Sequence, residues 1–326
     1  MMARLSSLLP VLGLGFALAT GLAAGPGRAD PVAVKATPVP LNAIDRSATT
    51  VGRLRYRGGL QLAAENPRFG GFSALGVSAD GARMVTISDR AQNLSARLTY
   101  DAAGNLAGIA DADLGSLADL HGFPLVDTPD WDVEAMSPGV EGEIIVAFEN
   151  RHRLWRYLPG RTVPVPMPPP DELLQMPANS GIKGLALLAD GRLLALTPGI
   201  RGRADAIGWV SDPEGWSVLT YGAADNFQVS GATTLPDGDV LVLERLYILR
   251  GGNAARLKRV AAGAIRAGAE LTGDTLAELR PPLTVDNFEG VEARRGAKGE
   301  TLIYLISDDN FNAEQRTLLM MFELMK

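Results

Sequence analysis

Cysteine is absent from the 326-residue sequence, and histidine occurs only as His121 and His152. The lack of cysteine excludes disulfide bonds, thiol catalysis and zinc sites with cysteine ligands. The sequence also has no G-x-S-x-G motif, and NRHRLWRY (150–157) lacks the glycine of the R-H-G-x-R-x-P phosphatase signature. We therefore expect neither a serine-hydrolase nor a phosphohistidine mechanism.

Basic residues are also in short supply, since 31 Lys and Arg stand against 37 Asp and Glu, for a formal charge of −6. Proteins that bind nucleic acids need a basic surface for the phosphates, so a nucleic-acid partner is not expected. With 46% hydrophobic residues the chain can bury a substantial core. The composition indicates a globular protein.

The N-terminus predicts a secretory signal peptide over residues 1–29. Arg4 precedes an apolar run from Leu8 to Ala24, and small residues lead to Ala29. A membrane anchor is the alternative, but the run is short for a membrane span and contains Pro10. We expect a periplasmic or secreted protein without stable membrane insertion after cleavage, a linker over 30–50 and one domain over 51–326.

Long helical periodicity is lacking, and a β-type repeat takes its place. The stretches at 72–90 and 288–311 share one order: an apolar residue, a polar residue, a short strand, a turn, a second strand and an acid. Further copies occupy 132–157, 182–199 and 229–249. The anchor positions Ser73, Glu134, Lys183, Ser230 and Glu289 are separated by 61, 49, 47 and 59 residues, which is typical of propeller blades.

Each copy predicts an antiparallel hairpin, because the Asp-Gly pairs in ADGA, ADGR and PDGD favour tight turns. Residues 94–101 and 105–112 supply a third and a fourth strand after the first hairpin. The last copy has only 317–325 as a third strand, so we expect 53–62 to close the ring. The sequence predicts an all-β propeller of four-stranded antiparallel blades, with five blades favoured and six as the alternative.

Acids recur where the hairpins begin and end, and these two positions lie at the same end of an antiparallel pair. We therefore expect a ring of acids at one mouth of the central channel, formed by Asp89, Glu134, Glu149, Glu244, Glu289, Asp308 and Asp309. One interpretation is a site for a hard cation such as calcium, which takes oxygen ligands. The other is internal pairing with Arg90, Arg151, Arg153 and Arg245.

The phrases VEAMSPG, FENRHRLWRY, VLERLYIL and NFEGVEA...LISDDNFNAEQRTLLMMFEL resemble exported bacterial proteins of the phytase-like family, described as having esterase-like activity of phytase. The resemblance covers about residues 51–325. It implies a β-propeller in the periplasm or outside the cell and a hydrolytic role. The third repeat departs from the pattern, because Lys183 stands where family members tend to have glutamate and Thr197 and Pro198 replace the second acid.

The resemblance implies a metal-assisted hydrolase for small esters or phosphates, in which acids bind calcium and basic residues hold phosphate. Its expected catalytic residues are Glu134, Glu289 and Asp308, with Asp89, Glu149, Glu244 and Asp309 as calcium ligands. The expected substrate-binding residues are Arg90, Arg151, Arg245 and Asn310. A non-catalytic propeller that binds a ligand or a protein at the same mouth is the alternative.

Overall fold

The computed structural model describes residues 29–126, 128, 130–199, 205–248 and 252–325. The predicted signal peptide lies outside these ranges, apart from Ala29. The described residues form strands and short 3-10 helices, namely Val140–Gly142, Asp171–Gln175 and Ala262–Ala264. Within these ranges, no helix combines the length and apolar character that crossing a membrane requires.

The strands form five sheets, which confirms the predicted number of blades. In chain order they are β1 (Asp30–Pro31), β2 (Lys35–Pro38), β3 (Thr50–Val51), β4 (Leu54–Ala63), β5 (Phe72–Val77), β6 (Arg83–Ser88), β7 (Gln92–Tyr100), β8 (Leu106–Ser116), β9 (Val133–Pro138), β10 (Ile144–Phe148), β11 (Arg153–Tyr157), β12 (Val165–Met167), β13 (Gly184–Leu187), β14 (Leu193–Leu196), β15 (Asp205–Asp212), β16 (Gly215–Gly222), β17 (Gln228–Thr234), β18 (Val240–Ile248), β19 (Gly252–Val260), β20 (Glu270–Leu271), β21 (Asp274–Leu279), β22 (Phe288–Arg295), β23 (Thr301–Ser307) and β24 (Thr317–Leu324).

From the axis outward, the blades are β5-β6-β7-β8, β9-β10-β11-β12, β13-β14-β15-β16, β17-β18-β19-β21 and β22-β23-β24-β4. We number them 1 to 5 in this order. All pairs within the blades are antiparallel, and β20 adds to β16 in parallel. Each inner strand contacts the inner strands of the two neighbouring blades, so the ring closes around a central channel.

The N-terminal strand closes the ring as the sequence predicts. β4 pairs with β24 from Thr317 opposite Leu62 to Leu324 opposite Leu54, which makes it the outer strand of blade 5. Residues 30–50, expected as a linker, add β1 to the edge of blade 1 and β2 to the edge of blade 5. These two strands of the N-terminal segment thereby cover the edges of β8 and β4, which would otherwise be open.

The core lies between the blades, where the Val, Leu and Ile residues of the alternating strands face one another. Phe288 and Phe322 are fully buried between blades 4 and 5, and Tyr304 is buried against blade 1. The channel itself is nearly filled, with a cavity of about 10 Å³, roughly the room that one water molecule requires. A ligand must therefore bind at an end of the channel and not inside it.

Candidate functional site

The anchor positions of the repeats are β-bulges, which explains why they recur. Ser73, Glu134, Ser230 and Glu289 each stand at a register shift in the first strand pair of their blade. The extra residue of a bulge has no partner in the ladder, and its side chain is re-aimed. Lys183 holds the equivalent place in blade 3, directly before β13, where its N–H donates to the Leu196 carbonyl at 2.9 Å.

Six acids gather at this end of the channel, and we call them the acidic mouth. They are Asp89, Asp132, Glu134, Glu149, Glu289 and Asp308. Glu134, Glu149, Glu289 and Asp308 are each less than a tenth exposed. Two cations, Lys183 and Arg245, lie among them. Carboxylates in excess of nearby cations repel one another, so the mouth requires further positive charge or protons.

Lys183 compensates the acids of blade 2. Its Nζ contacts Glu134 directly and lies 3.8 Å from Glu149, while Glu149 also accepts the Gly181 N–H at 2.7 Å. Burial alone would lower the pKa of Lys183, but Glu134 and its acidic neighbours raise it above its ordinary value. The lysine is therefore charged, and it pairs with acids on the neighbouring blade.

Arg245 compensates the acid of blade 5. Its Nη1 lies 2.9 Å from Glu289 and donates to the Asn287 side chain at 2.6 Å. The Asn287 amide donates to the same Glu289 oxygen at 2.9 Å. Glu289 is thereby held in place from two sides, as the internal-pairing interpretation expects.

Asp89 and Asp308 lack such cations. Burial raises the pKa of Asp308 to about 8, with a further contribution from Glu289, although the Asn310 N–H donates to it at 2.6 Å. Burial raises the pKa of Asp89 to about 6 against the opposing charge of Arg90. The Asp89 Oδ1 atom is buried and has no hydrogen-bond partner among the described residues. Among the described residues, neither carboxyl has a cation within ion-pair distance.

A glycine makes room for Asp89. Gly71 has φ +67°, and a Cβ added there would lie 2.6 Å from Asp89 Oδ1. Its backbone conformation is one that residues with side chains rarely adopt. The orphaned oxygen therefore depends on a glycine both for space and for the turn that brings the chain past it.

Asp132 joins the mouth although the sequence analysis does not select it. It lies one residue before β9, and burial raises its pKa, with Glu149 as the next cause. One oxygen from each of Asp132, Glu134 and Glu149 lies within 4.8 Å of the others, a spacing that suits a metal ion. The sequence signal for it is its place directly before an inner strand, beside the anchor Glu134.

Two predicted calcium ligands, Glu244 and Asp309, are engaged in hydrogen bonds and ion pairs within the protein. Glu244 is fully buried and binds Arg256 at 2.6 Å and the Tyr221 hydroxyl at 2.7 Å, away from the six acids. Asp309 connects its loop to the segment before β5 and to the start of β24, since it accepts hydrogen bonds from the Gly71 and Phe311 N–H groups and the Thr317 hydroxyl at 2.9–3.0 Å. Neither residue has the free oxygen that a cation would use.

The predicted substrate-binding residues likewise differ in whether other residues of the protein already bind them. Arg90 is exposed beside Asp89, stacks on the Phe311 ring at 3.6 Å and has no carboxylate in ion-pair distance among the described residues. Arg151 is mostly exposed and pairs with Asp130 at 3.0 Å. The Asn310 amide donates to Gln315 at 3.0 Å. Of these residues, Arg90 is best placed to hold an anion at the mouth.

The mouth offers two places for a divalent cation, and they differ in the charge that already lies beside them. Beside Asp132, Glu134 and Glu149 the Lys183 ammonium already occupies the position of a positive charge. Beside Asp89 and Asp308 the unpartnered Oδ1 and the raised pKa values show negative charge without a partner, which a bound cation or a proton would supply. Carboxylate and carbonyl oxygens are the ligands that calcium prefers.

Residues 67–311 match the model of a family described as phytase-like, with esterase-like activity of phytase. No curated protein matches the chain. Among solved structures it is similar to an α-L-arabinofuranosidase from Podospora anserina, with 12% identity, 83% of this chain and 97% of that chain covered, and a TM-score of 0.48. It is also similar to a protein of unknown function from Dyadobacter fermentans, with 12% identity, 93% and 97% covered, and a TM-score of 0.46.

Proposed function

Since the chain belongs to the phytase-like family, we propose that it hydrolyses esters, phosphoric esters in the first place, at the acidic mouth with the assistance of a bound calcium ion. The observation that carries this proposal is the Asp89 carboxylate, whose Oδ1 is buried without a partner next to Asp308 and Glu289. A buried carboxylate oxygen is costly unless a cation or a donor satisfies it. A ligand cation supplies that partner.

Asp89 and Asp308 are the residues that would hold the ion, with Glu289 as a further charge behind them. When bound, calcium polarises a phosphoryl or carbonyl oxygen and makes water a better nucleophile. Arg90 lies at the rim of the same side, where its free guanidinium suits the bidentate binding of a phosphate group. Arg245 and Asn287 keep Glu289 in position.

Lys183 restricts this chemistry to one side of the mouth. Its ammonium neutralises Glu134 and Glu149 without a dissociable ion, so these acids serve to fix the lysine and not to bind calcium. A cation at Asp89 and Asp308 would have the guanidinium of Arg90 beside it at the rim. These two positive charges suit an anionic substrate group, which favours a phosphoric ester over a neutral carboxylic ester.

Hydrolysis of 4-nitrophenyl phosphate and 4-nitrophenyl acetate by the purified mature chain tests the proposal. We expect calcium-dependent hydrolysis that a chelator abolishes, with the phosphate ester as the better substrate. Asp308→Asn is expected to lower the rate by about 100-fold. Asp111→Asn, on an exposed acid paired with Arg97, is the matched control and should keep the full rate. Equal rates with and without chelator would contradict the proposal.

A non-catalytic propeller that binds a ligand across the same mouth is the second candidate. The observation that favours it is the internal pairing of Glu134, Glu149 and Glu289 with Lys183 and Arg245. This candidate predicts that calcium changes neither stability nor any ester hydrolysis. The same assay with and without calcium therefore separates the two.

Export remains a prediction from the N-terminal sequence. We propose that the chain acts outside the cytoplasm, in the periplasm or after secretion. N-terminal sequencing of the protein recovered from a periplasmic fraction tests this, with a start near residue 30 as the expected result. Recovery of chains that begin at Met1 would contradict it.

A further inference from the structure

The end of the channel opposite the acidic mouth opens into a second pocket. It has a volume of about 400 Å³ and is lined by residues of blades 1, 2, 4 and 5, among them Ser78, Pro138, Thr234, Glu292, Arg294 and Arg295. These residues lie at or near the turns that join the two inner strands of each blade, whereas the acidic mouth lies at the other ends of those strands. We call it the basal pocket. Its volume is in the range of small-molecule sites.

A buried carboxylate with a free oxygen lies in the wall of the basal pocket. Glu292 is 5% exposed, and its Oε1 accepts the Thr233 hydroxyl and the Ala293 N–H, both at 2.8 Å. Its Oε2 has no hydrogen-bond partner among the described residues. Burial raises the pKa of Glu292 to about 7. A buried acceptor of this kind requires a donor, and the pocket is the open space beside it.

Two arginines of the same strand supply positive charge. Arg294 binds the Tyr304 hydroxyl through Nε and Nη2, and Arg295 donates through Nη2 to the Pro236 carbonyl at 3.0 Å. Neither has a carboxylate in ion-pair distance among the described residues. A guanidinium has five N–H donors, so both retain free donors. Arg295 is exposed, whereas Arg294 is partly buried and fixed by its bonds to Tyr304.

We infer that the basal pocket binds a small hydroxylated anion, with a carboxylate or phosphate group on Arg295 and Arg294 and a hydroxyl donating to Glu292 Oε2. Arginine forks bind both anionic groups in a bidentate manner. A hydroxyl supplies the missing donor, and a wall with both a buried acceptor and free donors distinguishes such a molecule from a simple anion. None of these residues belongs to the acidic mouth, so the inference is independent of the proposed hydrolysis.

The basal pocket continues into a groove of about 510 Å³ between blades 5 and 1. Both pockets share Ala79, Arg294 and Arg295 in their walls. The groove carries charges of both signs, with Lys298 and Glu300 on the turn between β22 and β23 and Asp80 on the turn between β5 and β6. It offers length for a larger ligand, but the charge preference comes from the two arginines at the junction.

Calorimetric titration of the chelator-treated chain with glucose 6-phosphate, glucuronate and glucose tests the inference, because the chelator removes any calcium-dependent binding and hydrolysis of the phosphoric ester at the acidic mouth. The first two carry the two anionic groups on the same skeleton, and glucose is the neutral control. We expect the better of the two anions to bind with a Kd of about 1 mM or tighter, and glucose to bind at least about ten-fold more weakly. The stronger anion identifies the group that the arginines prefer.

Variants locate the binding. Arg295→Gln and Glu292→Gln are each expected to weaken the stronger anion by about ten-fold, the effect of one lost charged hydrogen bond. Arg97→Gln, on another exposed arginine, and Asp308→Asn at the acidic mouth should leave the affinity unchanged. Arg295 is exposed, so its variant stays informative if Glu292→Gln fails to fold. Absence of anion binding, binding as strong for glucose, or affinity indifferent to Arg295→Gln would each overturn the inference.

Discussion

Removing the charge of Lys183 should destabilise the fold strongly. In Lys183→Met the side chain keeps its length, but Glu134 and Glu149 lose the ammonium that lies between them. The side chains of all three residues are at most 12% exposed. Breaking such a pair leaves buried charge uncompensated, and the expected loss is about 3–5 kcal/mol of the free energy of unfolding.

Urea unfolding at pH 7 in the presence of a chelator measures this loss. Arg151→Met is the matched control, because Arg151 is 70% exposed in its pair with Asp130, and we expect it to cost less than about 1 kcal/mol. The loss in Lys183→Met should shrink at lower pH, where protons neutralise the freed carboxylates. A loss no larger than that of the control would refute the charge arrangement that we describe.

The same variant has a second use. With the ammonium gone, oxygens of Asp132, Glu134 and Glu149 remain within 4.8 Å of one another, the spacing of a cation site. We therefore expect calcium to restore part of the lost stability in Lys183→Met, since a ligand that binds only the folded state stabilises it. If calcium raises the free energy of unfolding of the variant no more than that of the wild type, the lysine does not replace a bound cation.

Three further predictions concern residues outside that pair. The pKa of Glu292 rises from its ordinary 4.5 to about 7, so the native state keeps a proton that the unfolded chain releases. The resulting stability is fully present below pH 4.5 and is lost as the pH rises through 7, a decline of about 3 kcal/mol in the free energy of unfolding. The pH profile of Glu292→Gln should lack this decline, and a profile that superimposes on that of the wild type would contradict the prediction. Asp309→Ala should lower the free energy of unfolding by about 2–4 kcal/mol, because it removes the hydrogen bonds that Asp309 accepts, including the one from the Thr317 hydroxyl. Calorimetry should show an unchanged calcium affinity, and loss of calcium binding would make Asp309 a ligand. Glu244→Gln should cost about 3–5 kcal/mol in urea unfolding because it leaves Arg256 buried with one partner fewer, and an unchanged midpoint would argue against this pair.

The sequence predicts the propeller because its signals are local. Asp-Gly turns define the hairpins, and the distances between anchors such as Ser73 and Glu289 define the blades. Closure by β4 follows from counting strands in the last blade, since a three-stranded blade would leave an open edge. The sequence does not predict the strands within residues 30–50. They are short, and their pairing depends on the edges of blades 1 and 5, which the folded chain alone provides.

The site is predicted less completely, for a geometric reason. A place at the end of a strand predicts that an acid lies near the mouth, but the sequence does not show where its side chain points. Asp308 and Asp309 are neighbours, yet the carboxyl of Asp308 faces the other acids, whereas that of Asp309 accepts the N–H groups of Phe311 in its own loop and of Gly71 in the segment before β5. Glu244 likewise faces blade 3, where it accepts a hydrogen bond from the Tyr221 hydroxyl. The sequence does not distinguish Asp132 from an ordinary turn residue, because it precedes its strand by one residue.

Calorimetric titration of calcium into the chelator-treated chain from residue 30 onward tests the central claim most directly. We predict saturable binding that Asp89→Asn and Asp308→Asn abolish and Asp111→Asn preserves. Binding should release protons at pH 7, because the pKa of Asp308 is raised to about 8 and a carboxylate must lose its proton to bind a cation. No heat of binding, or binding that survives both substitutions, would contradict a cation site at the acidic mouth.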